Sequence, residues 1–122
     1  MTTPQEELRQ RTKNFAYRVI RLFRSLPRKT EAQVIGKQLL RSATSVAANY
    51  RAAGRARSPA EFTSKIGVVL EEADESQFWL ECLSDNKIVR PELLTDLLNE
   101  VDELVRIFSA SQQTAKNTSS KN

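Results

Sequence analysis

The chain has 122 residues, of which 28% are charged and 39% hydrophobic, with 3 Gly, 4 Pro, 1 Cys and no His. This length suits a single domain with its own core, and the scarcity of helix breakers predicts an all-α protein. One thiol excludes an internal disulfide, and no apolar run is long enough for a membrane span, so we expect a cytoplasmic protein without membrane contact.

Charge is distributed unevenly along the chain, although its net value is only +4. Residues 1–57 hold 13 Lys and Arg against 3 Asp and Glu, whereas residues 58–85 hold 1 against 7. Two interpretations fit this asymmetry. The basic half contacts an anionic partner, or the basic and acidic helices pair with each other.

The first predicted helix covers about residues 4–26. It begins at Thr3-Pro4-Gln5-Glu6, a capping-box pattern, and ends before Pro27. Its apolar seam comprises Leu8, Thr12, Phe15, Val19, Leu22 and Leu26. The opposite arc is basic, which indicates either a solvated helix face or contacts to nucleic acid, and it consists of Arg11, Arg18, Arg21, Arg24 and Arg28.

The second helix is predicted over about residues 31–55, with a capping box at Thr30-Glu31-Ala32-Gln33 and Gly54 near its end. Small residues dominate its apolar arc, so a neighbouring helix can approach closely. A basic stripe borders this arc rather than opposing it. That position favours ion pairing for Arg41, within or between subunits. Three further arginines near the end of this helix are candidate nucleic-acid contacts: Arg51, Arg55 and Arg57.

The third helix is predicted over residues 59–85, starting at Ser58-Pro59-Ala60-Glu61. Its seam has strict heptad spacing and comprises Phe62, Ile66, Val69, Ala73, Ser76, Leu80 and Leu83. Outside the seam lie two aromatic residues among carboxylates: Phe78 and Trp79 with Glu71, Glu72 and Glu75. Either a wide core arc includes Trp79, or this side is a subunit contact.

The fourth helix is predicted over residues 91–108, after which the polar residues 109–122 lack periodicity and predict a flexible tail. Short connections make successive helices antiparallel neighbours. The sequence therefore predicts one domain over residues 1–108, an antiparallel up-down-up-down four-helix bundle.

Catalytic and metal-binding patterns are missing from the sequence. A di-metal bundle of the ferritin type needs histidines, and Cys82 has no histidine to activate its thiol. No glycine-rich phosphate loop is present. We therefore expect neither an enzyme nor a bound cofactor or metal.

Four short motifs resemble a known bacterial family: Gln38-Leu39-x-Arg41-x-Ala43, Ser45-Val46-x-Ala48-Asn49, Ser58-x-x-Glu61-Phe62 and Glu72-Ala73-x-Glu75. The family is that of four-helix-bundle proteins encoded in intervening sequences of large-subunit ribosomal RNA genes. The accessory variability protein of diversity-generating retroelements is structurally related to it. The resemblance implies a homopentameric ring and, for the retroelement relative, binding of nucleic acid and of a reverse transcriptase. In place of the family's Ile-Ala-Glu-Gly after the asparagine, this chain has Tyr50-Arg51-Ala52-Ala53.

Two functional hypotheses follow from the residues and the resemblance. The first is a non-catalytic homo-oligomeric scaffold or adaptor that binds itself and other proteins. The second is a nucleic-acid-binding accessory protein that contacts the RNA or DNA backbone through its arginines, with a reverse transcriptase as a further partner.

Overall fold

Four helices account for most of the chain. The computed structural model describes residues 1–120, with side chains described as far as Thr118. The helices are α1 (Pro4–Ser25), α2 (Thr30–Ala53), α3 (Pro59–Asp85) and α4 (Pro91–Ser120), and no strand occurs within the described residues. The all-α prediction and the number of helices are confirmed.

Side-chain caps begin two of the helices. At α1, the Thr3 hydroxyl accepts from the Glu6 amide at 3.1 Å, and the Glu6 carboxylate accepts from the Thr3 amide at 3.4 Å. The predicted capping box is therefore present there. At α3, the Ser58 hydroxyl accepts from the Glu61 amide at 3.1 Å, while the Glu61 carboxylate lies 4.0 Å from Arg57.

The predicted capping box of α2 is wrong. Thr30 is already helical, and Lys29 is the N-cap residue, without a side-chain hydrogen bond. The Gln33 side-chain amide donates instead to the Pro27 carbonyl at 2.9 Å. This bond fastens the first turn of α2 to the α1–α2 connection, so the local sequence pattern was overridden by the path of the chain after Pro27.

The α3–α4 connection contains a non-glycine residue with a left-handed backbone, Lys87, at φ 54°. The Ile88 amide donates to the Leu83 carbonyl at 3.0 Å, and the Lys87 amide donates to the Ser84 carbonyl at 3.0 Å. These two bonds form a Schellman motif, in which glycine is the favoured residue at the left-handed position. Lys87 occupies that position at an energetic disadvantage.

We expect Lys87→Gly to raise the free energy of unfolding by about 0.5–1 kcal/mol, because relief of backbone strain exceeds the entropy that glycine gains in the unfolded chain. Urea denaturation measures this change. Lys87→Ala is the matched control, since it removes the same charge and keeps the Cβ. An equal gain in both variants would contradict the role of the left-handed backbone.

Successive helices run antiparallel, as the contacts between them show. The Gln77 amide donates to Asp102 at 3.3 Å, and the Gln112 side chain lies against Gly67. A residue earlier in α3 thus contacts a residue later in α4, as in an antiparallel pair. Similarly, α2 packs against α1 near the connection that joins them, where the Leu26 side chain occupies the space that a Cβ on Gly36 would need. Helix α1 also contacts α4, which closes the bundle, and this is the least extensive of the four helix–helix contacts.

The predicted seams form the core. On α3 every seam residue is buried except Phe62, which stays 36% exposed at the N-terminal end of the helix. Aromatic rings from two helices meet in the core, with the Tyr50 and Phe108 centroids 5.4 Å apart. The bundle is therefore packed by the residues that the 3–4 periodicity selects.

Helix α4 is longer than predicted. It continues past residue 108 to Ser120, where a flexible tail was expected; residues 121–122 lie outside the described part. Residues 109–118 include no Gly or Pro, and alanine and glutamine favour the helix. Ser111, Gln112 and Ala115 are half-buried, and the Gln112 side chain covers Gly67 of α3. Packing on α3 thus extends the helix although its apolar periodicity has ended.

Candidate functional site

An ion-pair network joins α2 to the acidic side of α3. The Arg41 guanidinium donates to Glu72 at 3.0 Å and to Glu75 in the same subunit. The hydrogen bond to Glu75 raises the pKa of Arg41, so this arginine stays charged at any ordinary pH. Of the two pairings that the sequence left open for Arg41, the structure shows the one within a subunit.

Two buried serines lie beside this network, at the closest approach of α2 and α3. The hydroxyl oxygens of Ser42 and Ser76 are 2.9 Å apart, and neither residue is exposed. Ser42 lies 3.2 Å from the Leu39 carbonyl, and Ser76 lies 2.9 Å from the Glu72 carbonyl. Each hydroxyl therefore has an acceptor within its own helix, as buried polar groups require.

The two aromatic residues outside the α3 seam differ in their surroundings. Trp79 is half-buried against the core, and its indole N–H donates to Glu75 at 3.1 Å. Phe78 stacks edge-on against Trp79 at 4.9 Å and is 54% exposed. Trp79 is thus anchored within the subunit, whereas Phe78 presents its ring to solvent.

One exposed strip of α3 carries this phenylalanine. It consists of residues one turn apart on the outer side of the helix: Val68, Glu71, Glu75, Phe78 and Cys82. Burial raises the pKa of the Cys82 thiol, and the nearby Asp85 and Glu81 charges raise it further. The thiol is therefore mostly protonated and weakly nucleophilic at neutral pH. We call these five residues the α3 outer strip.

Arg11, a residue of the basic arc of α1, is paired with helix α4. Arg11 donates to both Glu100 oxygens, at 2.6 and 3.1 Å, and to Glu103 at 3.2 Å. The bond to Glu100 raises the pKa of Arg11, which is only partly exposed. Sequence analysis left Arg11 as part of a solvated face or as a nucleic-acid contact, and the structure instead pairs it with α4, which packs beside this side of α1.

The other predicted arginines form no ion pair within residues 1–118, apart from the loose contact between Arg57 and Glu61. Arg18 is half-buried near α4, whereas Arg21, Arg24 and Arg28 are exposed at the C-terminal half and end of α1. Arg51 and Arg55 lie at the opposite end of the bundle, beside the N-terminus of α1. The arginines predicted as nucleic-acid contacts are therefore not one surface, since those of α1 and those of α2 lie towards different ends of the molecule.

A groove between α1 and α2 forms a second surface of mixed character. Small residues, including Ala16, Ala47 and Ala48, lie along it, and Tyr17 is exposed beside them. The Lys13 ammonium lies 5.7 Å from the centre of the Tyr17 ring, a cation–π distance. Sequence analysis did not single out Tyr17 as a surface residue of interest; its position on the basic arc of α1 was the available signal.

Metal binding depends on the grouping of possible ligand side chains. Among the residues that the structure describes, no group of three or more Cys, Asp or Glu side chains is placed to hold a metal ion. None of the helices in the described part combines the length and apolar character of a membrane span.

The four helices and the short connections between them define an all-α protein of the antiparallel four-helix-bundle class. Residues 5–110 match the sequence profile of the 23S rRNA-intervening sequence protein family, and the chain belongs to this family. The structure is also similar to a solved protein of unknown function from the S23 ribosomal protein family of Bacteroides thetaiotaomicron. The two are 30% identical, with a TM-score of 0.83 over 91% of this chain and 99% of the other. No curated protein matches the sequence.

Proposed function

We propose that the protein is a non-catalytic scaffold that self-associates, and that the α3 outer strip is one of its subunit contacts. The observation that carries this proposal is the 54% exposure of Phe78 on the strip of α3 that also carries the exposed Val68 and Glu71, two to three turns away. Glu71 makes no ion pair within residues 1–118. Aromatic rings with a charged margin are typical of protein–protein contacts.

The α1–α2 groove supplies a complementary surface for the same contact. Its Arg9, Lys13 and Arg51 side chains are cationic, whereas the α3 outer strip is anionic and aromatic. Small residues in the groove give a phenylalanine room to approach the backbone. A contact between two different surfaces is head-to-tail and closes into a ring when the rotation between subunits permits. A pentamer, which the family resemblance implies, remains the predicted ring size.

We expect Phe78→Glu to reduce the particle mass in multi-angle light scattering, because the new carboxylate places charge at the centre of the contact. The variant should keep its helical circular dichroism, since Phe78 is mostly exposed in one subunit. Phe78 is a better probe than Trp79, whose replacement would also remove the hydrogen bond to Glu75.

Leu93→Glu is the matched control for that experiment. Leu93 is an apolar residue of similar exposure on the first turn of α4, outside the α3 outer strip. It should leave the particle mass unchanged. A wild-type protein that is monomeric at micromolar concentration, or a Phe78→Glu variant of unchanged mass, would refute the proposed contact.

The exposed arginines at the C-terminal end of α1 favour a second candidate function, contact with a nucleic-acid backbone. Arg21, Arg24 and Arg28 are exposed and form no ion pair within the described side chains. Phosphate contacts of this kind are salt-dependent and read little sequence. Binding of a reverse transcriptase stays a prediction from the resemblance.

Reversing these three charges to glutamate is expected to weaken binding of a single-stranded RNA and to flatten its salt dependence by about 0.7 per lost contact. Fluorescence anisotropy at several salt concentrations measures both effects. The reversal leaves the α3 outer strip intact, so particle mass should not change. RNA affinity that survives the triple reversal would exclude this end of α1 as the nucleic-acid contact.

A further inference from the structure

A cleft of about 700 Å³ opens at the end of the bundle where α1 begins, α2 ends and α3 begins. Its lining combines three arginines, Arg9, Arg51 and Arg55, with an aromatic residue from each of two helices, Tyr50 and Phe62. Clefts of this size are typical of sites for small molecules. The cleft lies at the opposite end of the bundle from the exposed arginines at the C-terminal end of α1.

Tyr50 connects the cleft to the core. The residue is only 8% exposed, and its ring packs on Phe108. Its hydroxyl makes no hydrogen bond to any other group within residues 1–118, although the residue lines the cleft. The hydroxyl oxygen is not buried, because no buried side-chain oxygen among the described residues lacks a partner, so it can donate to a molecule bound in the cleft.

The charges around the cleft favour an anion. Arg9, Arg51 and Arg55 form no ion pair within the described side chains, and Glu6 is the only carboxylate among the described lining residues. Glu6 is already engaged by the Thr3 amide at 3.4 Å. The cleft therefore has an excess of positive charge that the protein itself does not neutralise.

The Tyr50 hydroxyl is also in the right protonation state to bind an anion. Burial raises its pKa, and the charge of the nearby Arg9 only partly opposes this effect. The hydroxyl therefore keeps its proton at neutral pH and acts as a donor. A phosphate oxygen accepts such a bond well, and guanidinium groups match phosphate geometry.

The apolar part of the lining indicates which chemical group the bound anion carries. Phe62 is the one seam residue of α3 that the core leaves partly exposed, and it lines the cleft together with Pro59. A ring at the mouth of a basic cleft offers a surface on which a flat heterocycle can stack. A single ligand can satisfy both parts of the cleft, with a phosphate group that binds near Tyr50 and a flat ring that stacks on Phe62.

We propose that this cleft binds a phosphate monoester carried by a flat ring, the chemistry of a nucleoside monophosphate and of the phosphorylated end of a nucleic-acid strand. The site consists of Tyr50, Arg9, Arg51, Arg55 and Phe62. It includes neither the α3 outer strip nor the arginines at the C-terminal end of α1, and it shares Arg9 and Arg51 with the α1–α2 groove, whereas Tyr50, Arg55 and Phe62 belong to the cleft alone.

Amide chemical shifts recorded during titration test this site with four probes: adenosine monophosphate, adenosine, and a short RNA with either a 5′-phosphate or a 5′-hydroxyl. The phosphorylated probes should shift the amides of the cleft, and adenosine should bind at least about tenfold more weakly than its monophosphate. If the phosphorylated RNA binds more tightly than the nucleotide, the natural ligand is a strand end; comparable binding indicates the free nucleotide. Both results support the site.

Two variants locate the binding groups. Tyr50→Phe keeps the ring on Phe108 and removes only the hydroxyl, and we expect it to weaken adenosine monophosphate binding about fivefold. Arg55→Gln should weaken it about tenfold, because a charge-assisted contact is lost. The matched control is Arg24→Gln, which removes an equally exposed and unpaired arginine at the other end of α1 and should have no effect.

Three results would overturn the proposal. They are the absence of cleft shifts with any phosphorylated probe, equal affinity for adenosine and its monophosphate, and equal weakening by Arg24→Gln and Arg55→Gln. None of them bears on particle mass, so failure of this site and failure of the proposed self-association are separate observations.

Discussion

Phe108→Ala is expected to lower the free energy of unfolding by about 3–5 kcal/mol, the usual loss for a fully buried phenylalanine. Phe108 has no exposed surface and lies 5.4 Å from the Tyr50 ring, where α4 meets α2. The surrounding side chains come from separate helices whose spacing is held by many other contacts. They cannot collapse into the space that the ring leaves, so a cavity adds to the lost apolar burial.

Urea denaturation followed by circular dichroism measures this loss, and the slope with urea should stay unchanged if only stability is altered. Leu93→Ala serves as the control, because Leu93 is 60% exposed and its truncation should change stability by less than about 0.5 kcal/mol. Similar losses in the two variants would contradict the burial of Phe108.

The second large effect is expected from Ser76→Leu, which should lower the free energy of unfolding by about 1–3 kcal/mol through overpacking. Ser76 is fully buried, and its oxygen lies 2.9 Å from the Ser42 oxygen on the facing helix. Three additional carbons have no space at this crossing unless α2 and α3 move apart. That movement would also stretch the Arg41 ion pairs, which join the same two helices.

Ser76→Ala separates crowding from the loss of the hydroxyl. Alanine keeps the small volume and removes one hydrogen-bonding group, so its effect should be about 1 kcal/mol or less. Urea denaturation of both variants at one protein concentration gives the comparison. If leucine were no more harmful than alanine, α2 and α3 would not be closely packed at this crossing.

The intramolecular ion pairs reduce the charge that is available for partners. Arg41 and Arg11 are held by four carboxylates of α3 and α4, so neither is free for phosphate. What remains is an aromatic, acidic strip on α3 and two separate groups of arginines at opposite ends of α1 and α2. Each proposal has a different one of these surfaces at its centre, although Arg9 and Arg51 line both the α1–α2 groove and the cleft.

Much of the fold was predictable from local patterns. The Thr3 cap, the Ser58 cap and the four apolar seams depend on residues within a few positions of one another, and the structure contains them. Two local predictions failed where tertiary contacts intervened. Gln33 bonds to the α1–α2 connection instead of capping its own helix, and Gln112 packs on α3 and continues a helix that lacks an apolar period.

The surfaces were less predictable than the seams. Phe78 and Trp79 are adjacent in the chain and were treated as a pair, yet one is exposed and the other is anchored to Glu75. Tyr50 lies on the inward side of α2, where its ring packs on Phe108. The sequence could not indicate that the Tyr50 hydroxyl faces a cleft, because the ends of α1, α2 and α3 form that cleft only in the folded bundle.

The amino-acid sequence was sufficient to establish four helices and their inward faces, because caps and 3–4 periodicity are encoded by neighbouring residues. The family was indicated separately, by the resemblance of four short motifs. Only the tertiary structure showed which charges are paired. Arg11 and Glu100 are 89 positions apart, and Arg41 and Glu72 are 31 apart, so their distances depend on the rotation and register of packed helices. Helical periodicity places a residue on a face of its helix. Whether a charged residue at the border of that face contacts a neighbouring helix depends on how all four helices pack.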